Sequence, residues 1–126
     1  MKVNFPSDYQ QVMPYLIVQN AAGFISFMQK VFGATEKVRH MRDEQTIRHG
    51  EVLAGDSVIM FSDTAPGFDV CNAAMFIYVA DADAAYEKAI AEGAKSIMPV
   101  SDQSYGRSGG VIDPFGNTWW ITAHMA

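Results

Sequence analysis

An internal duplication limits what this chain can fold into more than any other feature of its sequence. The segments YLIVQNAAGFISFMQKVFGA (15–34) and FIYVADADAAYEKAIAEGA (76–94) both run from an apolar stretch, through a helix-capping residue, to a glycine. The capping residues, Asn20 and Asp81, lie 61 positions apart. The later segments GDSVIMF and GNTWWIT repeat the spacing of 61. We interpret this as two copies of one supersecondary unit of about 60 residues.

Within each copy, the hydrophobic periodicity changes in the same order. Short apolar or alternating runs predict strands, and apolar residues at helical spacing predict a helix. The order is β-α-β-β-β in both copies. The predicted elements are strand 13–19, helix 21–32 and strands 35–42, 45–53 and 56–62, then strand 74–79, helix 82–92 and strands 95–99, 108–113 and 117–123.

Length and charge limit the classes of function. The 126 residues, 49% hydrophobic, predict a single α+β domain over 1–126, with module 1 at about 10–63, a linker at 64–72 and module 2 at about 73–124. A net charge of -5 without a basic cluster argues against nucleic acid. No apolar run reaches the roughly 20 residues of a membrane span. A single cysteine and the lack of a signal-peptide pattern predict a cytoplasmic protein.

Three stretches carry a resemblance to a known family: the opening YLIVQNAAGFISFMQKVFGA, HGEVLAGDSVIMFSD, and MPVSDQSYGRSGGVIDPFGNTWWITAH. On these residues the chain resembles the vicinal oxygen chelate superfamily, which includes glyoxalase I, bleomycin-resistance proteins, fosfomycin-modifying enzymes and extradiol dioxygenases. It is most similar to the PhnB-like, glyoxalase-related branch. The resemblance implies two tandem βαβββ modules that form an incomplete eight-stranded barrel with helices outside. It also implies a homodimer with ligand cavities near the subunit interface.

The metal-ligand positions of that family are changed here. Carried onto this chain, they fall on Met13, Ile59, Ala74 and Trp120. Divalent ions need imidazole, carboxylate or thiolate, and none of these four side chains supplies one. A shift of one residue does not restore a ligand set. We therefore predict no metal and no cofactor, which leaves a metal-dependent glyoxalase or dioxygenase as the least favoured alternative.

The alternation of strand side chains predicts what lines the cavity instead. One set should face inward and form an aromatic and aliphatic cleft, suited to a planar or amphipathic ligand. The alternative is that these side chains fill the barrel as solid core. The inward set is Met13, Tyr15, Ile17, Ile59, Phe61, Ala74, Phe76, Tyr78 and Trp120, and the set facing the helices is Leu16, Val18, Val58, Met60, Ile77, Val79, Trp119 and Ile121.

Two polar residues, His49 and Glu51, alternate along one predicted strand and therefore share a face. As a functional pair they would form an acid/base couple, in which the carboxylate favours the charged imidazole. As a structural pair they would only brace the strand. The sequence does not decide which face they occupy.

The segment SDQSYGRSGG (101–110) is rich in small and polar residues, as a mobile lid over a ligand would be. Tyr105 could stack on a ligand and Arg107 could pair with an anionic group on it. Alternatively, Arg107 pairs with Asp102 or Asp113. The latter residue, in DPFG, is also predicted to cap a tight turn.

These observations predict a dimeric, metal-free protein that binds and sequesters a small aromatic or amphipathic molecule. The acidic surface would favour a cationic ligand. The first alternative is a metal-independent glyoxalase-like isomerase or lyase that uses His49 and Glu51 as acid and base, with Tyr15, Tyr78 or Tyr105 as hydrogen-bond donors. The sequence favours binding, because it does not assemble a set of nucleophile, base and orienting group among the inward residues. A module without any ligand would require the cavity to be filled.

Overall fold

The computed structural model describes residues 2–125, which form the order βαβββ twice. This confirms the predicted α+β class and the two tandem modules. Module 1 contains β1 (Tyr15–Val18), α1 (Ala21–Phe32), β2 (Thr35–Met41), β3 (Ile47–Ala54) and β4 (Ser57–Asp63), and module 2 contains β5 (Ala74–Tyr78), α2 (Ala82–Ala91), β6 (Lys95–Gln103), β7 (Gly106–Ile112) and β8 (Thr118–Ala123).

Each module has its own four-stranded sheet with the same topology. The strand orders are β1-β4-β3-β2 and β5-β8-β7-β6. The pairs β1/β4 and β5/β8 are parallel, and the remaining pairs are antiparallel. The described chain divides into two compact units: one runs to Gln29 and continues over Gly33–Cys71, and the other contains Lys30–Phe32 and the chain from Asn72 onward. The division after Cys71 falls within the predicted linker.

The helices begin where the capping residues predict. The Asn20 side chain accepts a hydrogen bond from the backbone N–H of Gly23 at 3.0 Å, and the Asp81 side chain does the same for Ala84 at 3.0 Å. Helix α1 stops at Gly33, whose φ of 67° is accessible to glycine at little cost. No helix within residues 2–125 is long and apolar enough to cross a membrane.

The core of module 1 lies between α1 and one face of its sheet. Leu16 and Val18 are buried there, as predicted. The Phe24 ring of α1 packs edge-on against the Phe61 ring of β4, with centroids 5.1 Å apart and both side chains fully buried. Beside them, the buried carboxylate of Asp63 accepts two hydrogen bonds. One comes from the backbone N–H of Ala21, the first residue of α1, at 2.8 Å, and the other from the backbone N–H of Ile47 at 2.6 Å. It therefore joins the helix to β3.

The predicted inward placement of Ile59 and Phe61 is wrong. In β4, Phe61 pairs with Leu16 and packs on α1, so that Ile59, two residues earlier, takes the same face. Met60, predicted to face the helix, instead pairs with Tyr15 on the opposite face.

The cause is that the spacing between the two modules is not constant. Tyr15 and Phe76 lie 61 positions apart, but their strand partners Met60 and Trp120 lie 60 apart, as do the glycines that follow the two helices, Gly33 and Gly93. A spacing of 61 carried into β4 is therefore wrong by one residue. A slip of one residue moves every side chain to the other side of the sheet.

In module 2 the prediction for the two tryptophans is confirmed. Trp119 is 1% exposed, its ring lies 4.9 Å from that of Phe32, and its indole N–H donates to Asp113 at 2.8 Å. Trp120 lies half-buried on the opposite face, where its ring covers the space that a side chain at Gly110 would need. The two adjacent tryptophans therefore lie on opposite faces of the sheet, Trp119 in the core and Trp120 on the open face.

The prediction of a lid at 101–110 is wrong, because most of this segment is strand. Strand β6 continues to Gln103, a turn follows at 104–105, and β7 starts at Gly106. Small residues are tolerated in β7 because neighbouring side chains fill the space above them: Val100 and Tyr86 over Gly109, and Trp120 over Gly110.

Candidate functional site

A chain of polar side chains crosses the sheet face of module 1 that is opposite to α1. His49 and Glu51 project from β3, where Glu51 pairs with Met60, and Met60 in turn pairs with Tyr15 of β1. Cross-strand partners share a face. The structure therefore answers the question that the sequence left open: the His49 and Glu51 pair lies on the same face as Tyr15.

Three hydrogen bonds join these side chains into one network. The Nε2 of His49 lies 2.7 Å from Oε2 of Glu51, and its Nδ1 lies 3.0 Å from the hydroxyl of Tyr15. The Tyr9 hydroxyl donates to Oε1 of Glu51 at 2.7 Å. We refer to Tyr9, Tyr15, His49 and Glu51 as the tyrosine-histidine network. Both carboxylate oxygens and both ring nitrogens have a partner.

The partners select one tautomer of a neutral His49 ring. An ionised carboxylate only accepts hydrogen bonds, so the tautomer that fits Glu51 carries its hydrogen on Nε2 and accepts at Nδ1. With that tautomer, the Tyr15 hydroxyl donates to Nδ1. The hydrogen bond to Glu51 raises the pKa of Tyr9, which keeps that phenol protonated as the donor. The arrangement places a basic ring nitrogen against the Tyr15 hydroxyl and a carboxylate behind the ring.

Contacts of the segment before β1 with β4 and β2 hold Tyr9 in place. Gln10 exchanges two hydrogen bonds with the backbone of Val58, at 2.8 and 3.2 Å. Lys37 makes a salt bridge with Asp8 at 2.8 Å and lies over the Tyr9 ring, 4.6 Å from its centroid. The sequence analysis missed Tyr9, because it lies 42 positions from Glu51 and no local pattern connects them.

Module 2 carries a group of exposed aromatic side chains on the sheet face opposite to Trp119. The Phe76 ring lies 5.1 Å from that of Tyr78 and 6.2 Å from that of Tyr105, and Trp120 is the β8 partner of Phe76. Phe76, Tyr78 and Tyr105 are 50%, 63% and 50% exposed. We call these four residues the aromatic face. Such a contiguous exposed group commonly marks a binding surface.

Arg107 is bound to two carboxylates. It makes a paired contact with Asp83 of α2, at 2.6 and 3.0 Å, and a third contact with Asp102 at 3.0 Å. The guanidinium lowers the pKa of Asp83. The alternative pairing with Asp102 is therefore present, the pairing with Asp113 is not, and the contact with Asp83 was missed. In this arrangement the charge of Arg107 is compensated within module 2, which weighs against its use for an anionic ligand.

Asp113 performs the turn-capping role predicted for it. Its Oδ1 accepts from the backbone N–H groups of Phe115 and Asn117, both at 2.9 Å, while Oδ2 accepts from the Trp119 indole at 2.8 Å. The residue is 3% exposed. It therefore belongs to the core of the last hairpin and not to a ligand site.

The positions equivalent to the family's metal ligands do not fit a metal. With the register of β4 corrected, they are Met13, Met60, Ala74 and Trp120, which offer at best soft thioethers. Met13 is half-buried before β1, and Ala74 is exposed at the start of β5. Over residues 2–125, the structure groups no three His, Cys, Asp or Glu side chains that could hold an ion. These four positions therefore carry two thioethers, a methyl group and an indole, and no imidazole or carboxylate.

Comparison with known proteins connects this fold to a family. The profile of the glyoxalase/bleomycin resistance protein/dioxygenase superfamily matches residues 9–121. An uncharacterised protein of Mycobacterium bovis is 29% identical over 120 aligned residues, which cover 84% of this chain and 78% of that protein.

Two solved structures show the same fold. TioX from Micromonospora sp. ML1 superposes with a TM-score of 0.75 at 22% identity, covering 92% of this chain and 99% of TioX. The PhnB protein from Bacillus cereus has a TM-score of 0.67 at 16% identity, covering 90% and 99%. The predicted similarity to PhnB-like proteins is thus confirmed for the fold.

Proposed function

This chain belongs to the glyoxalase/bleomycin resistance protein/dioxygenase superfamily, and we propose that it binds a small aromatic or amphipathic organic molecule on the aromatic face of module 2. The observation that supports this proposal is the exposure of three neighbouring rings, at 50%, 63% and 50%, on one sheet face. Stacking on an aromatic ring contributes about 0.5 to 1.5 kcal/mol beyond the burial of area. Several rings on one surface can therefore hold a planar ligand without a metal.

We further propose that a homodimer encloses the ligand. A ligand site normally buries most of its ligand, whereas half-exposed rings on one sheet leave a bound molecule uncovered on its far side. A second copy would supply that cover.

The net charge of -5 favours cationic ligands through long-range attraction. The single cysteine suits action in the reducing cytoplasm, in a sequestering or resistance role.

Tryptophan fluorescence tests this proposal. Titration with the planar cation acridine orange is expected to quench the emission of the wild-type protein through Trp120, which lies half-buried on the aromatic face. Trp120→Ala should abolish the saturable quenching. Trp119→Phe, which alters the buried indole on the other face, is the matched control and should retain it. Saturable quenching that survives in Trp120→Ala would place the ligand elsewhere.

A second candidate function, a metal-independent isomerase or lyase of glyoxalase type, is favoured by the tyrosine-histidine network. The sequence favours binding because it does not assemble a nucleophile, a base and an orienting group among the inward residues. In module 1, however, Glu51 is hydrogen-bonded to His49, and His49 is hydrogen-bonded to Tyr15. In many enzymes a hydroxyl is activated by an imidazole that is hydrogen-bonded to it, and the imidazole is in turn hydrogen-bonded to a carboxylate.

The test of this candidate is turnover of methylglyoxal thiol adducts by protein treated with a chelator. His49→Ala is expected to lower the rate on the order of 100-fold, since a positioned acid or base contributes at least that much. His40→Ala is the control, because His40 is the exposed β2 partner of His49 and no hydrogen bond joins it to the network within residues 2–125. Activity that appears only after nickel or zinc is added would instead support the metal-dependent alternative.

A further inference from the structure

We propose that the Tyr15 phenol is the group through which module 1 exchanges a proton with a carbonyl substrate, and that His49 and Glu51 act behind it. The inference rests on the acid-base function proposed above and changes the assignment of roles within it. The sequence predicts His49 and Glu51 as acid and base and Tyr15 only as one of three possible hydrogen-bond donors. The geometry gives the contact with substrate to Tyr15.

Exposure decreases steadily along the network. Tyr15 is 47% exposed, the His49 side chain 30%, and the Glu51 side chain 5%. Both oxygens of Glu51 are engaged, one by Tyr9 and the other by His49. Both ring nitrogens of His49 are engaged as well. Burial keeps a substrate away from Glu51, and a substrate can reach a ring nitrogen of His49 only by displacing one of its partners. The Tyr15 oxygen, in contrast, is exposed and keeps free acceptor capacity while it donates to His49.

The proton transfers balance within these side chains. The Tyr15 hydroxyl passes its proton to Nδ1 of His49, and the imidazolium is stabilised by the Glu51 carboxylate, which stays ionised. The phenolate then takes a proton from the carbon beside a substrate carbonyl, and the C–H electron pair moves into an enolate. Return of a proton from Tyr15 to the neighbouring carbon completes an isomerisation, and the proton on Nδ1 returns to the phenolate. The step requires no oxidant and no co-reactant.

Tyr9 is a positioning residue in this scheme. Its hydroxyl donates to Oε1 of Glu51, whereas His49 is bonded to Oε2, and the two bonds together hold the carboxylate in one orientation. Gln10 and Lys37 fix Tyr9 in turn, as described above. Loss of the Tyr9 hydroxyl should therefore weaken the activation of Tyr15 indirectly, through Glu51 and His49, although Tyr9 itself makes no hydrogen bond with Tyr15 among the bonds of the described residues.

Covalent labelling tests the proposal without a known substrate. Phenylmethylsulfonyl fluoride reacts with a phenolate by forming an O–S bond and releasing fluoride, while the phenol proton goes to the neighbouring base. Peptide mapping by mass spectrometry reports the labelling rate of each tyrosine. We expect Tyr15 to react on the order of 100-fold faster than Tyr78 and Tyr105, in line with a positioned proton acceptor. These two are more exposed than Tyr15, and within residues 2–125 neither hydroxyl is hydrogen-bonded to a base.

Variants separate activation from simple accessibility. His49→Asn, which places an amide near Tyr15 but no base, should reduce the Tyr15 rate to that of Tyr78, and Glu51→Gln and Tyr9→Phe should give intermediate rates. His40→Ala should change nothing. Circular dichroism, together with unchanged labelling of Tyr78 and Tyr105, shows that each variant is folded.

The outcome is informative whether or not the protein turns over carbonyl compounds. Labelling of Tyr15 no faster than that of Tyr78 would overturn the proposal, even if turnover responds to His49→Ala, because His49 would then act directly. Rapid labelling of Tyr15 that persists in His49→Asn would overturn it as well. Rapid, His49-dependent labelling supports the role of Tyr15, and a failure of turnover in the same protein counts against the carbonyl adduct tested and not against the relay.

Discussion

Replacing Trp119 by alanine is expected to lower the free energy of unfolding by about 3 to 5 kcal/mol. The indole is 1% exposed, its ring centroid lies 4.9 Å from that of the tilted Phe32 ring, and its N–H donates to Asp113 at 2.8 Å. The substitution therefore removes a large buried ring, leaves a cavity and deletes a hydrogen bond to a buried carboxylate. Urea denaturation followed by circular dichroism measures the change.

Trp120→Ala is the matched control for this prediction. It removes the same side chain from the adjacent residue of the same strand, but that side chain is only half-buried and lies over Gly110 on the open face. We expect a loss below about 1.5 kcal/mol, because substitutions outside the core cost little. Equal losses in the two variants would show that the two indoles are buried alike and would contradict the separation of faces on which the binding proposal depends.

Asp113→Ala should cost about 3 kcal/mol, because four donors lose their buried carboxylate acceptor. These donors are the backbone N–H groups of Phe115 and Asn117, the side-chain amide of Asn117 and the indole N–H of Trp119. Each unsatisfied buried donor costs about 1 to 3 kcal/mol, and entry of water into the loop offsets part of the sum. Thermal unfolding and urea denaturation should both report the loss.

The equivalent hairpin of module 1 provides the control. Asp56 lies in the exposed two-residue loop between β3 and β4, and its carboxylate accepts only from the Ser57 hydroxyl among the side-chain bonds of the described residues. Asp56→Ala should change the free energy of unfolding by less than about 0.5 kcal/mol. A loss at Asp113 as small as that at Asp56 would mean that the carboxylate is not needed to hold the turn.

Much of the fold could be predicted because its signals are local. Helix caps, glycines at helix ends and the alternation of apolar residues depend on neighbours in sequence. Because the unit is duplicated, each element could be predicted twice, once from each module. The faces of Trp119, Trp120, Phe76 and Tyr78 followed correctly. The same reasoning was wrong for Ile59 and Phe61, because the spacing between equivalent residues of the two modules is 61 in the first strand but 60 in the last.

The candidate site in module 1 was predictable only in part. The alternation of His49 and Glu51 along one strand indicated that they share a face. The sequence predicts Tyr15 as a cavity residue and as a possible hydrogen-bond donor, but it does not connect Tyr15 to His49 and does not point to Tyr9. Both contacts join residues far apart in the chain, 34 positions for Tyr15 and His49 and 42 for Tyr9 and Glu51. Strand pairing brings Tyr15 close to His49, and packing of the segment before β1 on β4 brings Tyr9 close to Glu51. A single sequence contains no signal for either.

The sequence by itself determined the two βαβββ modules, the split between the two tryptophans and the lack of metal-binding side chains at the family's ligand positions. These properties depend on the identity of individual residues and on the spacing of apolar residues along the chain, and both can be observed in the sequence alone. Only the tertiary structure decided that β4 turns Met60 toward Tyr15, that Arg107 is neutralised by Asp83 and Asp102, and that Tyr9, Glu51, His49 and Tyr15 form one network. Each of these depends on strand register or on packing between distant segments, where a shift of one residue changes every contact.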